Sequence, residues 1–356
     1  MFSFFARKPP ATAFINGTAL TVGPKETLLH TALRGGIDFP HSCRVGSCAT
    51  CKCKLVQGKV RELTRASYVL SAAELAQGYI LACQSVPQTD VHVEVKLAAA
   101  AVKRVGGRIT KQTRLTHDIV ELRVQLDEPL AYKAGQFAGI AIASLPGVER
   151  SYSFATPSRP DGEVRFLVRK VTGGAFSSLV NGTDVAGQAM TVEGPKGDFH
   201  LRPGNAPLLF VAGGSGLAPI LAMLQEAAGA REKRPVTLLF GARSQNDLYA
   251  LDTIGEIAGR WGGPFQFIPV LSEEAGGSSW PGERGLVTAL IPRALNPGAQ
   301  AYLCGPPRMI DSAISLLSQQ GVPFDHIHAD RFTTTHSPAT MDGAEEGSQE
   351  DKHAVV

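Results

Sequence analysis

Apolar and polar positions change rhythm twice along the chain. Up to about residue 97 the apolar runs are short. "TAFINGTALTV" reads as two strands around an Asn16-Gly17 turn, because those two residues accept the positive φ of a tight hairpin. "ETLLHTALRGG" reads as a helix closed by glycine, and "DVHVEVKL" alternates as a half-buried strand does. "AAAAVKR" (98–104) is a shift in composition and is expected to be a linker. Beyond it, "GGRITKQTRL", "DIVELRVQL", "GQFAGIAIA", "EVRFLVRKV" and "QAMTVEGPKGDF" are short β-like runs broken by Gly and Pro, the spacing of an antiparallel barrel. From about residue 205 the runs lengthen. "APLLFVAGGSG" reads as a buried strand ending in glycines, and "LAPILAMLQEAA" as an amphipathic helix with Pro219 near its start. "VTLLFGAR", "QFIPVLS" and "AQAYLCGPP" are further apolar strands with helical stretches between, which predicts βαβ units and a parallel sheet. After Phe332 the chain turns acidic and polar. The expected division is 1–97, a linker 98–104, a barrel 105–204, an α/β unit 205–332 and a disordered tail 333–356, with no internal repeats.

Composition narrows the class. A chain of 356 residues is too long for one ordinary core, and 44% hydrophobic with 19% charged residues reads as soluble and globular. A net charge of +3 makes no case for nucleic acid. No apolar run approaches the roughly 20 residues of a membrane span. "MFSFFARKPP" lacks the length and order of a signal peptide, so a cytoplasmic location is expected; a small interfacial anchor is the other reading of that stretch.

Six cysteines in such a compartment stay reduced, and clustered reduced cysteines read as metal ligands. Cys43-x4-Cys48-x2-Cys51, with Cys83 further on, fits the plant-type [2Fe–2S] spacing and leaves Cys53 over. Zinc more often takes two separated C-x2-C pairs, and only one is present; a zinc-binding protein without enzymatic activity is the remote alternative. Gly46 suits a tight loop whose amides face the cluster. Arg44, Lys52, Lys54, Lys59, Arg61 and Arg65 make this side basic.

Two further patterns carry chemistry. "RSYSFAT" (150–156) is followed about twenty residues later by "VTGGAFSSLV", whose glycines allow close backbone approach and whose amides and Ser177 can cradle a phosphate. "LLFVAGGSGLAPI" places Gly213, Gly214, Ser215 and Gly216 between a strand and a helix, so that N–H groups and the helix dipole face a pyrophosphate. Read alone, Cys304 in "YLCGPP" is a buried small hydrophobe. Arg243 at the end of "VTLLFGAR" could serve a 2′-phosphate, but Asp247 would repel one, and NADH is the expected donor.

Together these motifs resemble the ferredoxin–NADP reductase superfamily with an N-terminal plant-type ferredoxin domain. Over roughly residues 10–332 the chain is similar to the oxygenase reductases, and "FPHSCRVGSCATCKCKL…GYILACQ" looks most like the xylene monooxygenase reductase branch. The resemblance implies a β-grasp [2Fe–2S] domain, an antiparallel flavin-binding barrel and a parallel-sheet nucleotide domain. It implies that Cys43, Cys48, Cys51 and Cys83 hold the cluster. Arg150, Gly173, Gly174 and Ser177 would hold the FAD pyrophosphate, with Arg169 a further contact and Tyr152 packed on the ribityl or ring region. Ser153 would lie near flavin N5 and Cys304 beside the nicotinamide, the two placed at the reacting atoms. Gly305 and Pro306 complete the nucleotide site, and Phe332 would stack on the flavin. The implied partner is a terminal oxygenase, in this branch a membrane-bound di-iron hydroxylase, served by a monomeric reductase peripheral to the membrane through that partner. A Rieske dioxygenase partner, or a stand-alone NAD(P)H:acceptor reductase, are the alternatives.

Overall fold

The computed structural model describes residues 10–332 except 38, 42, 43, 45, 47, 48, 71 and 97–101. The expected tail 333–356 and most of the expected linker lie outside these.

The first unit is built on strands β1 (Thr12–Ile15), β2 (Thr18–Thr21), β3 (Lys52–Gln57), β4 (Val60–Glu62), β5 (Tyr79–Leu81), β6 (Ser85–Pro87) and β7 (Val91–Glu94), with helices α1 (Leu28–Arg34) and α2 (Ala72–Ala76). The hairpin forms where expected, with Asn16 at φ 48° and Gly17 at φ 87°. The Thr27 side chain caps α1 by accepting the His30 N–H, and Gly36 at φ 75° follows its end. Five strands run β2-β1-β7-β3-β5, and the small β4–β6 ladder stands beside them. α1 buries Leu28, Leu29 and Ala32 against this sheet in one core with Cys51, Cys53 and Cys83.

The second unit is an antiparallel sheet of β8 (Lys103–Arg114), β9 (Ile119–Leu126), β10 (Phe137–Ile142), β11 (Glu149–Ser153), β12 (Glu163–Arg169) and β13 (Ala189–Lys196), in the order β11-β10-β13-β8-β9-β12. A bridge from Phe154 to Phe166 joins its two edges, so the sheet closes on itself. Alternate residues of β9 turn inward, Val120, Leu122 and Val124 among them, onto a core shared with Phe154 and Phe166. One helix, α3 (Ala175–Gly182), packs across it.

The third unit is a six-stranded sheet ordered β17-β16-β15-β14-β18-β19, parallel throughout: β14 (Leu208–Gly213), β15 (Val236–Ala242), β16 (Phe265–Leu271), β17 (Glu283–Arg284), β18 (Gln300–Gly305) and β19 (Ile327–Arg331). Helices α4 (Leu217–Gly229), α5 (Leu251–Arg260), α6 (Ile291–Ala294) and α7 (Pro307–Gln319) connect the strands. β14 is buried at all six positions, as a strand covered on both faces must be.

One expectation needs correcting. α4 is not half polar: Leu217 to Leu224 are all buried. Its outer face meets the barrel, and Ile119, Ala134, Ala155, Leu167 and Phe199 join it in a single core with Phe210 and Tyr302. The second and third units therefore share buried apolar surface, worth about 25 cal/mol per Å² removed from water.

Candidate functional site

Two of the four expected cluster ligands are among the described residues, and they meet. Lys52 at the start of β3 pairs with Leu81 at the end of β5, so Cys51 just before one strand and Cys83 just after the other converge. Both are buried. The Cys83 N–H points at Cys51 Sγ at 3.5 Å. Gln84 Nε2 donates to the carbonyls of Arg44 (3.2 Å) and Cys83 (3.0 Å) and lies 3.6 Å from Cys83 Sγ. Amide N–H groups gathered around buried sulfur suit an iron–sulfur cluster. Gly46 has φ 80°, and a Cβ there would lie 2.7 Å from Gln84 Cγ, so both conformation and space call for glycine. Cys43 and Cys48 lie outside the described residues. Cys53 differs from the ligands: it points into the core from β3, and burial, then the neighbouring Cys83, push its thiol up to about 12. It stays a neutral thiol at pH 7 and packs as a small apolar side chain.

β11 carries the "RSYS" residues up the barrel edge. Arg150 is exposed, donates to the Glu149 carbonyl at 2.8 Å, and has no carboxylate paired with it among the described residues. The Tyr152 ring lies 5.4 Å from Phe176 in the first turn of α3, which brings the two motifs together. Ser153 is 4% exposed, and its Oγ has no partner among the described residues. An orphaned buried hydroxyl costs about 1–3 kcal/mol, which a bound group would relieve. Gly173 at φ 73° faces open space, and Gly174 precedes α3. Ser177 Oγ accepts the Val171 N–H (3.1 Å) and donates to the Gly174 carbonyl (3.3 Å), fixing the turn at the helix N-terminus. These residues fit a flavin nucleotide: an exposed guanidinium with no paired carboxylate among the described residues, an aromatic face, an unpartnered hydroxyl and a helix start.

The chain enters the parallel sheet at its centre on β14, winds outward through β15, β16 and β17, then returns to β18 on the other side. The point where the winding reverses lies between the carboxyl ends of β14 and β18, the place where such sheets bind ligands. The two glycine motifs stand at those ends. Gly213 ends β14 and Gly214 to Gly216 follow it, while Cys304 to Pro306 close β18. They pack on each other: a Cβ on Gly216 would overlap the Cys304 carbonyl, and one on Gly213 would lie 3.0 Å from Pro306. Ser215 is buried, and Tyr249 Oη donates to the Gly214 carbonyl at 2.9 Å.

Cys304 is fully buried, and burial, then Asp330, hold its thiol well above the ordinary range. Asp330 faces it across the β18–β19 register, where burial raises the carboxyl to about 6 against the opposing pull of Arg331. Phe332 is tied to the same place, its N–H donating to the Gly305 carbonyl at 2.9 Å.

Arg169 and Arg243 share a partner. Asp118 Oδ2 accepts from Arg169 Nε and from Arg243 Nη2, both at 3.0 Å. Burial pushes the Asp118 carboxyl up, but Arg169, Thr116 and His117 together hold the group below its ordinary range. Arg243 also reaches Asp247 Oδ1 at 3.2 Å, and His117 Nδ1 stands 3.2 Å from that carboxylate. This chain of charges runs from the barrel to the end of β15. Asp118, Tyr249 and Asp330 were not picked out from the sequence. "IHADR" is too short and too polar to announce a buried parallel strand, and nothing in "TRLTHD" marks Asp118.

The comparisons with known proteins agree with this geometry. The 2Fe-2S iron-sulfur cluster binding domain family matches residues 13–88, the oxidoreductase FAD-binding domain family 106–201 and the oxidoreductase NAD-binding domain family 210–314. The chain is 45% identical over 334 residues to the xylene/toluene monooxygenase electron transfer component XylA of Pseudomonas putida, covering 92% of this chain and 95% of that protein. It is 35% identical over 333 residues to the propane 2-monooxygenase reductase component of Mycolicibacterium smegmatis, covering 88% and 94%. The crystal structure of the Amycolatopsis cytochrome P450 reductase GcoB superposes with a TM-score of 0.69 at 31% identity, covering 91% of this chain and 99% of that one. The chain belongs to the oxygenase reductase components, which join a [2Fe–2S] ferredoxin domain to an FAD- and NAD-binding oxidoreductase.

Proposed function

We propose that this protein draws electrons from NADH and delivers them singly, through its cluster domain, to a terminal hydroxylase of the di-iron type that acts on hydrocarbons. The observation that carries the reading is that one shared core joins Ala155, two residues beyond the unpartnered Ser153 of the barrel, to Cys304 and Leu217 at the sheet's reversal point. A bound flavin supplies the exchange between the paired electrons of a hydride and the single electrons a cluster accepts. The chain's own residues do the rest. Arg150, Gly173, Gly174 and Ser177 bind the flavin pyrophosphate, and Tyr152 covers its ring or ribityl chain. Ser153 offers its hydroxyl to the flavin edge that receives hydride. Gly213 to Gly216 bind the NADH pyrophosphate at the start of α4, and Cys304, Gly305 and Pro306 line the nicotinamide side with Phe332. Cys43, Cys48, Cys51 and Cys83 hold the cluster.

The partner's docking face is the exposed basic side of the cluster domain. Arg44, Arg61 and Arg65 are exposed there, and Leu63, 47% exposed, lies beside Cys83 through its N–H bond to the Gln84 carbonyl. Lys54 and Lys59 extend the positive surface, while Lys52 is taken up by Glu74 at 2.7 Å. A positively charged face favours an acidic partner and speeds its encounter. No described helix is long and apolar enough to cross a membrane. We place the protein in the cytoplasm as a monomer that meets a membrane only through its partner.

Replacing Cys48 with serine tests the modular path. The cluster's absorption and its reduction by NADH should vanish while NADH-to-dye activity stays within about twofold of wild type. Loss of dye reduction as well would mean that the sites do not work as separate modules. Hydroxylase turnover with the purified partner, present in wild type and absent in this variant, separates the proposal from a stand-alone acceptor reductase.

A further inference from the structure

The cluster domain meets the rest of the chain at Arg331, the last residue of β19. Its side chain is only 9% exposed. Nη1 donates to the Val69 carbonyl of the cluster domain at 3.0 Å, across 262 positions of sequence. Nε and Nη2 both donate to Asp311 Oδ1 on α7, at 3.3 Å and 2.8 Å. Val69 belongs to the same buried core as Cys51 and Cys83. On the other side, Arg331 is flanked by Asp330, which faces Cys304, and by Phe332, bonded to Gly305. One guanidinium thus joins the core that carries the cluster ligands to the strand end at the nucleotide site.

We propose that Arg331 is a positioning residue that holds the cluster domain in its electron-accepting pose, with Asp311 aiming its guanidinium fork at Val69. The proposal rests on the electron path given above and adds the residue that fixes its geometry. A tether alone sets an effective concentration and leaves orientation free. A rigid, charged, bidentate fork fixes orientation, which a lysine cannot reproduce at two acceptors. The step affected is simple in its balance: reduced flavin loses one electron, the oxidised cluster gains it, and no bond to the protein changes.

The test uses the full-length protein loaded with both cofactors, mixed anaerobically with NADH and followed at flavin and cluster wavelengths. Arg331→Ala should leave flavin reduction within about twofold of wild type and slow cluster reduction about tenfold, the equilibrium shift expected for one lost charge-assisted hydrogen bond. Arg331→Lys should fall between. Asp311→Asn acts from an exposed helix surface and should slow cluster reduction several-fold without affecting folding. The cluster midpoint potential, measured by EPR-monitored titration, should be unchanged in all three. Unchanged cluster reduction in Arg331→Ala and Asp311→Asn would overturn the proposal. So would a shift in potential large enough to account for the slowing, or an equal loss of flavin reduction. Failure of the wild-type cluster to be reduced by NADH would instead sink the electron path itself, and this inference with it.

Discussion

Arg243 shows how a side chain's neighbours decide what it can recognise. Alone at the end of β15, a guanidinium is a natural partner for the 2′-phosphate of NADPH. Here its Nη2 is already bonded to Asp118 at 3.0 Å and Asp247 at 3.2 Å. A 2′-phosphate placed there would have to displace one carboxylate and face both, which would disfavour NADPH against the uncharged 2′-hydroxyl of NADH. Asp247 also caps its own turn, accepting from the Ser244 N–H and hydroxyl at 3.0 Å each. Asp247→Asn keeps an oxygen for that cap and removes the charge. It should raise kcat/KM for NADPH about tenfold, or about 1.4 kcal/mol, and change that for NADH far less. Steady-state kinetics with both nucleotides check this, and an unchanged ratio would show that recognition lies elsewhere. Asp247 could be suspected from the sequence because it follows Arg243 by one helical turn. Asp118 could not, since it lies 125 positions away and only folding brings it to Arg243.

At the scale of elements, the junctions of strand and helix carry more information than the strands. The Asn16-Gly17 hairpin, the capped α1 and the glycine-terminated β14 were all legible, because each is written in local backbone chemistry. The polarity of α4 was not legible. Its pattern suggested one buried face, but the barrel covers the other, and no local signal announces a second layer. The glycine motifs also do more than approach a ligand. Gly216 is pressed against the Cys304 carbonyl, so "GGSG" and "CGPP" are two halves of one packing contact. Gly216→Ala should therefore destabilise the protein by about 3 kcal/mol, at the upper end of ordinary overpacking, because the clash is with backbone. Denaturant unfolding of the flavin-loaded protein measures this. A loss below 0.5 kcal/mol, on the order of a neutral surface change, would show that the two strand ends can separate freely.

At the scale of the whole molecule, the order of the units follows from electron counting. NADH gives two electrons as hydride and the cluster takes one at a time, so the flavin unit must stand between the other two. The fold supports this. The barrel and nucleotide sheet share a core, while Arg331 ties the cluster domain to the nucleotide sheet. The three units were legible in the sequence, because the motifs that mark them are local. The sequence did not disclose the contacts between units, which depend on single side chains such as Arg331 whose partners lie hundreds of positions away.

The most direct test is the visible spectrum of the purified protein under anaerobic conditions, before and after NADH and then with NADPH. The account predicts overlapping flavin and iron–sulfur bands that bleach rapidly with NADH and slowly with NADPH. Bands that do not bleach with either nucleotide, or a flavin spectrum without iron, would contradict it.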